Sequence, residues 1–396
     1  MALVTAWIST PVVGGPVRVL GAAELEQTAD GVVVHRLPAV ARAQLPDGFI
    51  RMCEEQPSGV RLAFRTAARQ VELDVRALRT AIVDRPVPDA GRYDLVVDGV
   101  VVGHGSADGH GVIVLDPIAA MTITHTGPVA TVVFPVLEAG DKELEIWLPY
   151  AEVTRLLAVR TDAPVASATD HASGSVRRPR WVHHGSSISH GASAASPTGI
   201  WPVVVARLAG LDLVNLGLSG NAVLDPFIAR TIRDQPADLI TLKLGINVVN
   251  HDCFRRRTFP PAVEGFLDTI REGHPSTPLV VVSPILCAIV EDRPGPTSID
   301  PDSPPDAPVF RTVGRSEELA TGKLSLEVIR EVLEGVVGRR RTAGDGSMHY
   351  LDGRELYGRP EWASMPLPDL LHPTAAGHRH MGEAFAALVP GFLAQS

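Results

Sequence analysis

Residues 181–191 read WVHHGSSISHG: an apolar run enters a glycine, two adjacent serines and, shortly after, a second glycine. A serine hydroxyl is a poor nucleophile at neutral pH until a base accepts its proton. The stretch is therefore either an ordinary polar turn or the delivery of a nucleophile, and the residues downstream decide which. VNLGLSGNA carries Ser219-Gly220-Asn221, LKLGINVVN carries Gly245-Ile246-Asn247, and PDLLHPTAAGH places Asp369 three residues before His372. Each has a use in acyl chemistry. His372 supplies a base, and Asp369 in the same tight turn can hold its other ring nitrogen in one tautomer. Attack on an ester creates an oxyanion, for which the N–H groups of Ser187 and Gly220 and the amide of Asn247 are donors. Ser187 is one candidate nucleophile and Ser189, in a G-x-S-x-S reading, is its rival.

These residues need elements that bring them together. After residue 180, short continuously apolar runs (181–183, 211–216, 239–244 and 279–282) alternate with helical stretches near 200–210, 225–234, 260–272, 325–340 and 375–392. Buried strands alternating with helices predict a parallel sheet covered on both faces. In such sheets ligands bind outside the carboxyl ends of the strands, where the three glycine-containing stretches fall.

The first 165 residues follow a different period. In QVELDVRAL, Val71, Leu73, Val75 and Ala77 share one face, and in ELEIWL so do Leu144, Ile146 and Leu148. Asp98-Gly99 between β-branched runs is a hairpin signal. Half-buried antiparallel strands in a β-sandwich or jelly roll are the expectation. The predicted organisation is an all-β accessory domain at 1–165, a small polar linker at 166–179 and an α/β domain at 180–396. Residues 288–318, rich in proline and aspartate, read as a disordered insert or a lid.

Bulk properties narrow the function. The 396 residues carry 45% hydrophobic and 20% charged side chains and a net charge of −9. That composition is globular, and the charge argues against general nucleic-acid binding. Cys53, Cys253 and Cys287 lie far apart with no C-x-x-C, which fits a reducing cytoplasm. No apolar run is long enough to span a bilayer. No metal or organic cofactor is indicated. His183, His184 and His190 read as packing residues; His378 and His380, two apart on a helix, cannot face one metal. His104 and His110 read as a solvent loop. Lys243 reads as a stem that packs while its amine snorkels, Asp225 as a helix N-cap or a pocket residue, and Gly377 as a point of close helix–sheet packing. There is no G-x-S-x-G elbow and no G-x-G-x-x-G fingerprint.

The order G-x-S-[LI], a glycine after the second strand, G-x-N and then D-x-x-H resembles the SGNH, or GDSL, hydrolase superfamily over residues 180–396. The resemblance implies a three-layer, flavodoxin-like α/β fold. It implies Ser187 as nucleophile ahead of Ser189, with Asp369 and His372 completing the triad and Ser187, Gly220 and Asn247 forming the oxyanion hole. Ser186 and Val248 stand where the superfamily carries aspartates, which implies altered local hydrogen bonding. The whole layout, with HRLPAVARAQ (35–44), ELEIWLPY (143–150) and SPILC…GPT (283–297), resembles a two-domain group that includes a salicylyl acyltransferase of tetracycline-type polyketide tailoring. Ester hydrolysis is the leading expectation. Acyl transfer to a hydroxyl of a polyketide or sugar is the alternative, and a carbohydrate-binding protein with an inactive scaffold is the reading from another class. The partners expected are a small-molecule ester or activated acyl donor and, for transfer, a hydroxylated acceptor. With His372 as base, activity rises on an acidic limb at roughly pH 6–7.

Overall fold

The computed structural model describes residues 6–83, 85–116, 121–168, 177–304 and 306–394. The chain divides into two compact units, Met1–Arg178 with Ser196–Thr198, and Pro179–Ala195 with Gly199–Ser396.

The first unit is built on two β-sheets, of eight and six strands. Its core is the set of inward residues the period of two selects. Val71, Leu73, Val75 and Ala77 from strand Val71–Ile82 pack with Phe64, Leu95, Leu144 and Ile146, all essentially inaccessible. Each of the valine, leucine, isoleucine and phenylalanine side chains contributes roughly 1.5–3 kcal/mol relative to exposure. Asp98 and Gly99, at φ 48° and 82°, turn the hairpin between Arg92–Val97 and Val100–Ser106. Both central residues have the positive φ of a type I′ turn. One pair departs from the antiparallel expectation: Val71–Ile82 runs parallel to His110–Asp116. Alternation reports which face is buried and is blind to strand direction. His104 and His110 stand on strands Val100–Ser106 and His110–Asp116, not in a loop. Val165–Ser167 pairs with Arg61–Thr66, so the sheet continues into the predicted linker. Residues 169–176 of that linker lie outside the described residues.

The second unit is a five-stranded parallel sheet. In order of appearance its strands are Arg180–Gly185, Asp212–Gly217, Leu239–Lys243, Leu279–Val282 and Met348–Leu351, and in space they lie 2-1-3-4-5. This is the flavodoxin-like doubly wound order. The fifth strand escaped the sequence reading because His349 and Tyr350 interrupt its apolar run. Consecutive residues of the first strand mark the two faces. The His183 ring meets Trp201 of helix Trp201–Ala209 at 4.8 Å, whereas His184 meets Phe266 of helix Phe259–Gly273 at 6.2 Å. Beneath the first face Trp181, Trp201 and Phe385 pack ring on ring. Three layers follow, and the chain reverses between strands one and three, where such sheets open a crevice.

Candidate active site

Ser187 opens a one-turn helix, Ser187–His190, directly after the first strand. The chain can turn this sharply because residue 185 is glycine: a Cβ there would lie 2.3 Å from Ser189 Oγ. The Ser187 hydroxyl lies 2.8 Å from His372 Nε2, and His372 Nδ1 lies 2.6 Å from Asp369 Oδ2. The other Asp369 oxygen accepts the main-chain N–H groups of Leu371 (2.9 Å) and His372 (2.7 Å). That double acceptance folds D-L-L-H into a tight turn, with Leu370 held at φ 66°, a region non-glycine residues seldom occupy.

Electrostatics favour a charged Asp369. Burial pushes its carboxyl up, but the hydrogen bonds and charge of His372 and the Leu371 N–H outweigh this, and the net shift is downward. A carboxylate at Nδ1 fixes the proton on that nitrogen and leaves Nε2 to accept from Ser187. The side chain of His372 is only 13% exposed.

The second and third strands supply further donors. Leu218 to Asn221 forms a turn closed by Asn221 N–H to Leu218 O at 3.0 Å, with Gly220 at φ 69°. Positive φ at the third position of a turn favours glycine. Side chains hold this loop. Ser219 N–H donates to His190 Nδ1 (3.3 Å), Asn221 Nδ2 donates to Ser219 O, His251 Nε2 donates to Gly220 O (2.7 Å), and Ala222 N–H donates to Asn247 Oδ1 (3.0 Å). The last bond orients the Asn247 amide with its oxygen on the loop and its NH₂ turned away. The Asn221 bond grips the peptide whose N–H belongs to Gly220. Asn247 itself lies in helix Ile246–Asn250, which starts at Gly245 with φ 120°. The structure thus brings Ser187, His372 and Asp369 into one hydrogen-bonded line, with Gly220 and Asn247 at the two neighbouring strand ends.

Other expectations meet a different environment. Ser189 is fully buried and bonds at 2.8 Å to His183 Nε2, whose Nδ1 lies 2.6 Å from the Thr241 hydroxyl. His184 bonds Leu216 O, and His378 bridges Ala192 O and Trp201 N–H. His380 lies 3.6 Å from Glu361. Among the described residues no cluster of His, Cys, Asp or Glu suits a metal. Lys243 does not snorkel. It is 2% exposed at the end of the third strand, and burial, with the Arg330 charge, pushes its amine down to about 8. Gly377 packs beside Pro373 and the Tyr357 ring instead of a strand. Asp225 takes the N-cap position of helix Pro226–Arg233 without a side-chain capping bond. Ser186 Oγ, in the place of the superfamily's aspartate, is buried without a hydrogen-bond partner among the described residues, and Val248 is buried. The loop-holding residues Asn221 and His251 and the aromatic Phe310, whose ring lies 5.7 Å from that of His372, were not anticipated. Proximity of residue 310 to residue 372 leaves no local signal in the sequence.

Residues 179–289 match the model of the GDSL-like lipase/acylhydrolase family. Comparison with curated proteins finds no match. Among solved structures the chain is similar to the salicylyl-acyltransferase SsfX3 from a tetracycline biosynthetic pathway. That match has 28% identity and a TM-score of 0.75 and covers 97% of this chain and 98% of the other. A Bacteroides ovatus protein described as a GDSL-like lipase matches at 17% identity and TM-score 0.69, covering 98% of both chains. A family two carbohydrate esterase from Cellvibrio japonicus matches at 12% identity and TM-score 0.57, covering 98% and 99%. The last two are likenesses of fold. Among the described residues no helix is long and apolar enough to cross a membrane.

Proposed function

We propose that this enzyme, whose residues 179–289 form a GDSL-like lipase/acylhydrolase domain, cleaves a carboxylic ester through an acyl-enzyme on Ser187. The observation that carries the reading is the line Ser187–His372–Asp369, with hydrogen bonds of 2.8 and 2.6 Å. In the forward step Ser187 Oγ attacks the acyl carbonyl while its proton passes to His372 Nε2. The carbonyl electron pair moves onto oxygen, where the Ser187 and Gly220 N–H groups and the Asn247 amide are the available donors. Collapse expels the alcohol, which takes the proton from His372. A second hydroxyl then attacks the ester on Ser187, gives its proton to His372, and Ser187 leaves with that proton restored. Water as the second nucleophile gives hydrolysis; an organic alcohol gives transfer.

The transfer reading is favoured by one observation, the 28% identity to the salicylyl-acyltransferase over nearly the full length of both chains. Its substrates are a small acyl donor and a hydroxylated acceptor. The wide spacing of Cys53, Cys253 and Cys287, with no C-x-x-C, supports our placing the enzyme in a reducing cytoplasm. The test is pre-steady-state release of p-nitrophenol from p-nitrophenyl acetate, with mass analysis of the quenched protein. A burst with a 42 Da gain on Ser187 supports the acyl-enzyme. Turnover with an unmodified Ser187 at every quench time, undiminished in Ser187→Ala, contradicts it.

A further inference from the structure

Residues 288–318 read from composition as a disordered insert or a lid, but the described part is a built element. Thr297–Ile299 and Phe310–Thr312 pair antiparallel. One end sits on the helix that carries Asn247: a Cβ on Gly295 would lie 1.8 Å from the Val249 carbonyl oxygen. Gly314 closes in turn on Pro294 and Gly295, where a Cβ would lie 2.2 and 2.4 Å from their carbonyl oxygens. The Thr312 hydroxyl donates to Pro294 O at 2.6 Å. The other end sits on the Asp–His turn. Phe310 N–H donates to Asp369 O at 2.9 Å, and the Phe310 ring meets the His372 ring at 5.7 Å with 74° between planes. The hairpin is thus tied to both the Asn247 helix and the Asp369–His372 turn, and it places one half-buried aromatic ring against the base.

On the acyl-enzyme reading above, we propose that Phe310 is a specificity-determining residue that biases deacylation towards an organic alcohol and against water. The deacylating oxygen must reach hydrogen-bonding distance of His372 Nε2. A group there is also within reach of the ring that touches the imidazole. Water beside an aromatic ring loses hydrogen-bond partners, whereas the carbon skeleton of an alcohol buries apolar surface on it. The bond that ties the hairpin to Asp369 comes from the Phe310 main chain, so truncating the ring leaves that tie in place. The step needs no other reactant: the alcohol's O–C(acyl) bond forms, the Ser187 ester bond breaks, and the proton returns through His372 to Ser187.

The test is the partition ratio of transfer product to hydrolysis product from one acyl-enzyme. p-Nitrophenyl acetate serves as donor and methanol, butanol and benzyl alcohol as acceptors, for wild type, Phe310→Ala and Phe310→Leu. Because both products arise from the same intermediate, the ratio is independent of the acylation rate. The expected result is a ratio that rises from methanol to benzyl alcohol in wild type. For benzyl alcohol it falls about tenfold in F310A, the scale of discrimination by one apolar contact, with F310L between the two. A ratio in F310A equal to wild type overturns the proposal. So does a wild-type ratio indifferent to acceptor carbon content, a result that stands even if a variant fails to fold. An adduct on Ser187 with an unchanged ratio overturns the role of Phe310 alone. No adduct in turning-over wild type, together with turnover undiminished in Ser187→Ala, overturns the acyl-enzyme reading as well.

Discussion

Ser187 and Ser189 stand two residues apart, and each lies 2.8 Å from the Nε2 of a histidine. The surroundings separate them. His372 has a carboxylate at Nδ1, whereas His183 has the Thr241 hydroxyl, which also accepts the Trp181 indole N–H. Ser187 is half-buried; Ser189 and His183 are sealed in the core. Burial first, then the charges of His184 and Lys243, hold His183 well below the usual imidazole range. It therefore resists taking a proton, while Asp369 is placed to stabilise positive charge on the His372 ring. A serine–histidine hydrogen bond is therefore only a packing solution until a fixed carboxylate, access for substrate and unused N–H donors are added to it.

The contrast can be broken or sharpened by substitution. The largest effect is expected for Ser187→Ala, which should lower ester kcat/KM by about 10⁴-fold or more, with Asp369→Asn close behind at ~10³–10⁴-fold. Loss of activity in Ser189→Ala on the same scale would collapse the distinction. Next come the groups we propose as oxyanion donors. Asn247→Ala should reduce kcat by about 10²–10³-fold. Asn221→Ala, which releases the Gly220 peptide, should cost roughly tenfold in kcat with KM little changed, as a group felt mainly in the transition state does. Equal losses in the two variants would show that Asn221 does more than aim that peptide.

Ser189→Ala has the smallest predicted effect on turnover, within about threefold. It should instead lower stability by roughly 1–3 kcal/mol, because it leaves a buried imidazole nitrogen without its partner. Thermal melts against activity in one preparation separate the two effects. Acid provides a related check. His183 is held down, and burial pushes His378 down to about 4. Below the unfolded imidazole range the unfolded chain binds protons that the folded chain refuses. Stability is therefore fully present above about pH 6.5 and is lost as pH falls towards 4. His378→Gln should flatten that fall in the melting temperature.

The residues we propose to touch reacting atoms could be read from the sequence because their chemistry dictates their types. A histidine three residues after an aspartate and glycines at strand ends can be found by spacing, but the choice of Ser187 over Ser189 came from the resemblance. What holds them could not be read. Asn221 and His251 act by gripping main-chain carbonyls, which any of several polar residues can do, so their identity announces nothing. Phe310 reaches His372 only because a hairpin folds back across 62 positions, and the proline-rich composition there read as disorder or a lid. Lys243 misled for a simpler reason: a charged residue ending an apolar strand ordinarily finds water, and here the side chain is buried. The resemblance named the superfamily's blocks, but it gave no reason why Ser186, without a partner, should replace an aspartate.

The central claim is that Ser187 is the activated serine and Ser189 is not. Intact-mass and peptide mapping after fluorophosphonate treatment tests it directly, in wild type, Ser187→Ala and Ser189→Ala. The account predicts a single adduct on Ser187 in wild type and in the Ser189 variant, and none in the Ser187 variant. An adduct on Ser189, or none on folded wild-type protein, would contradict it.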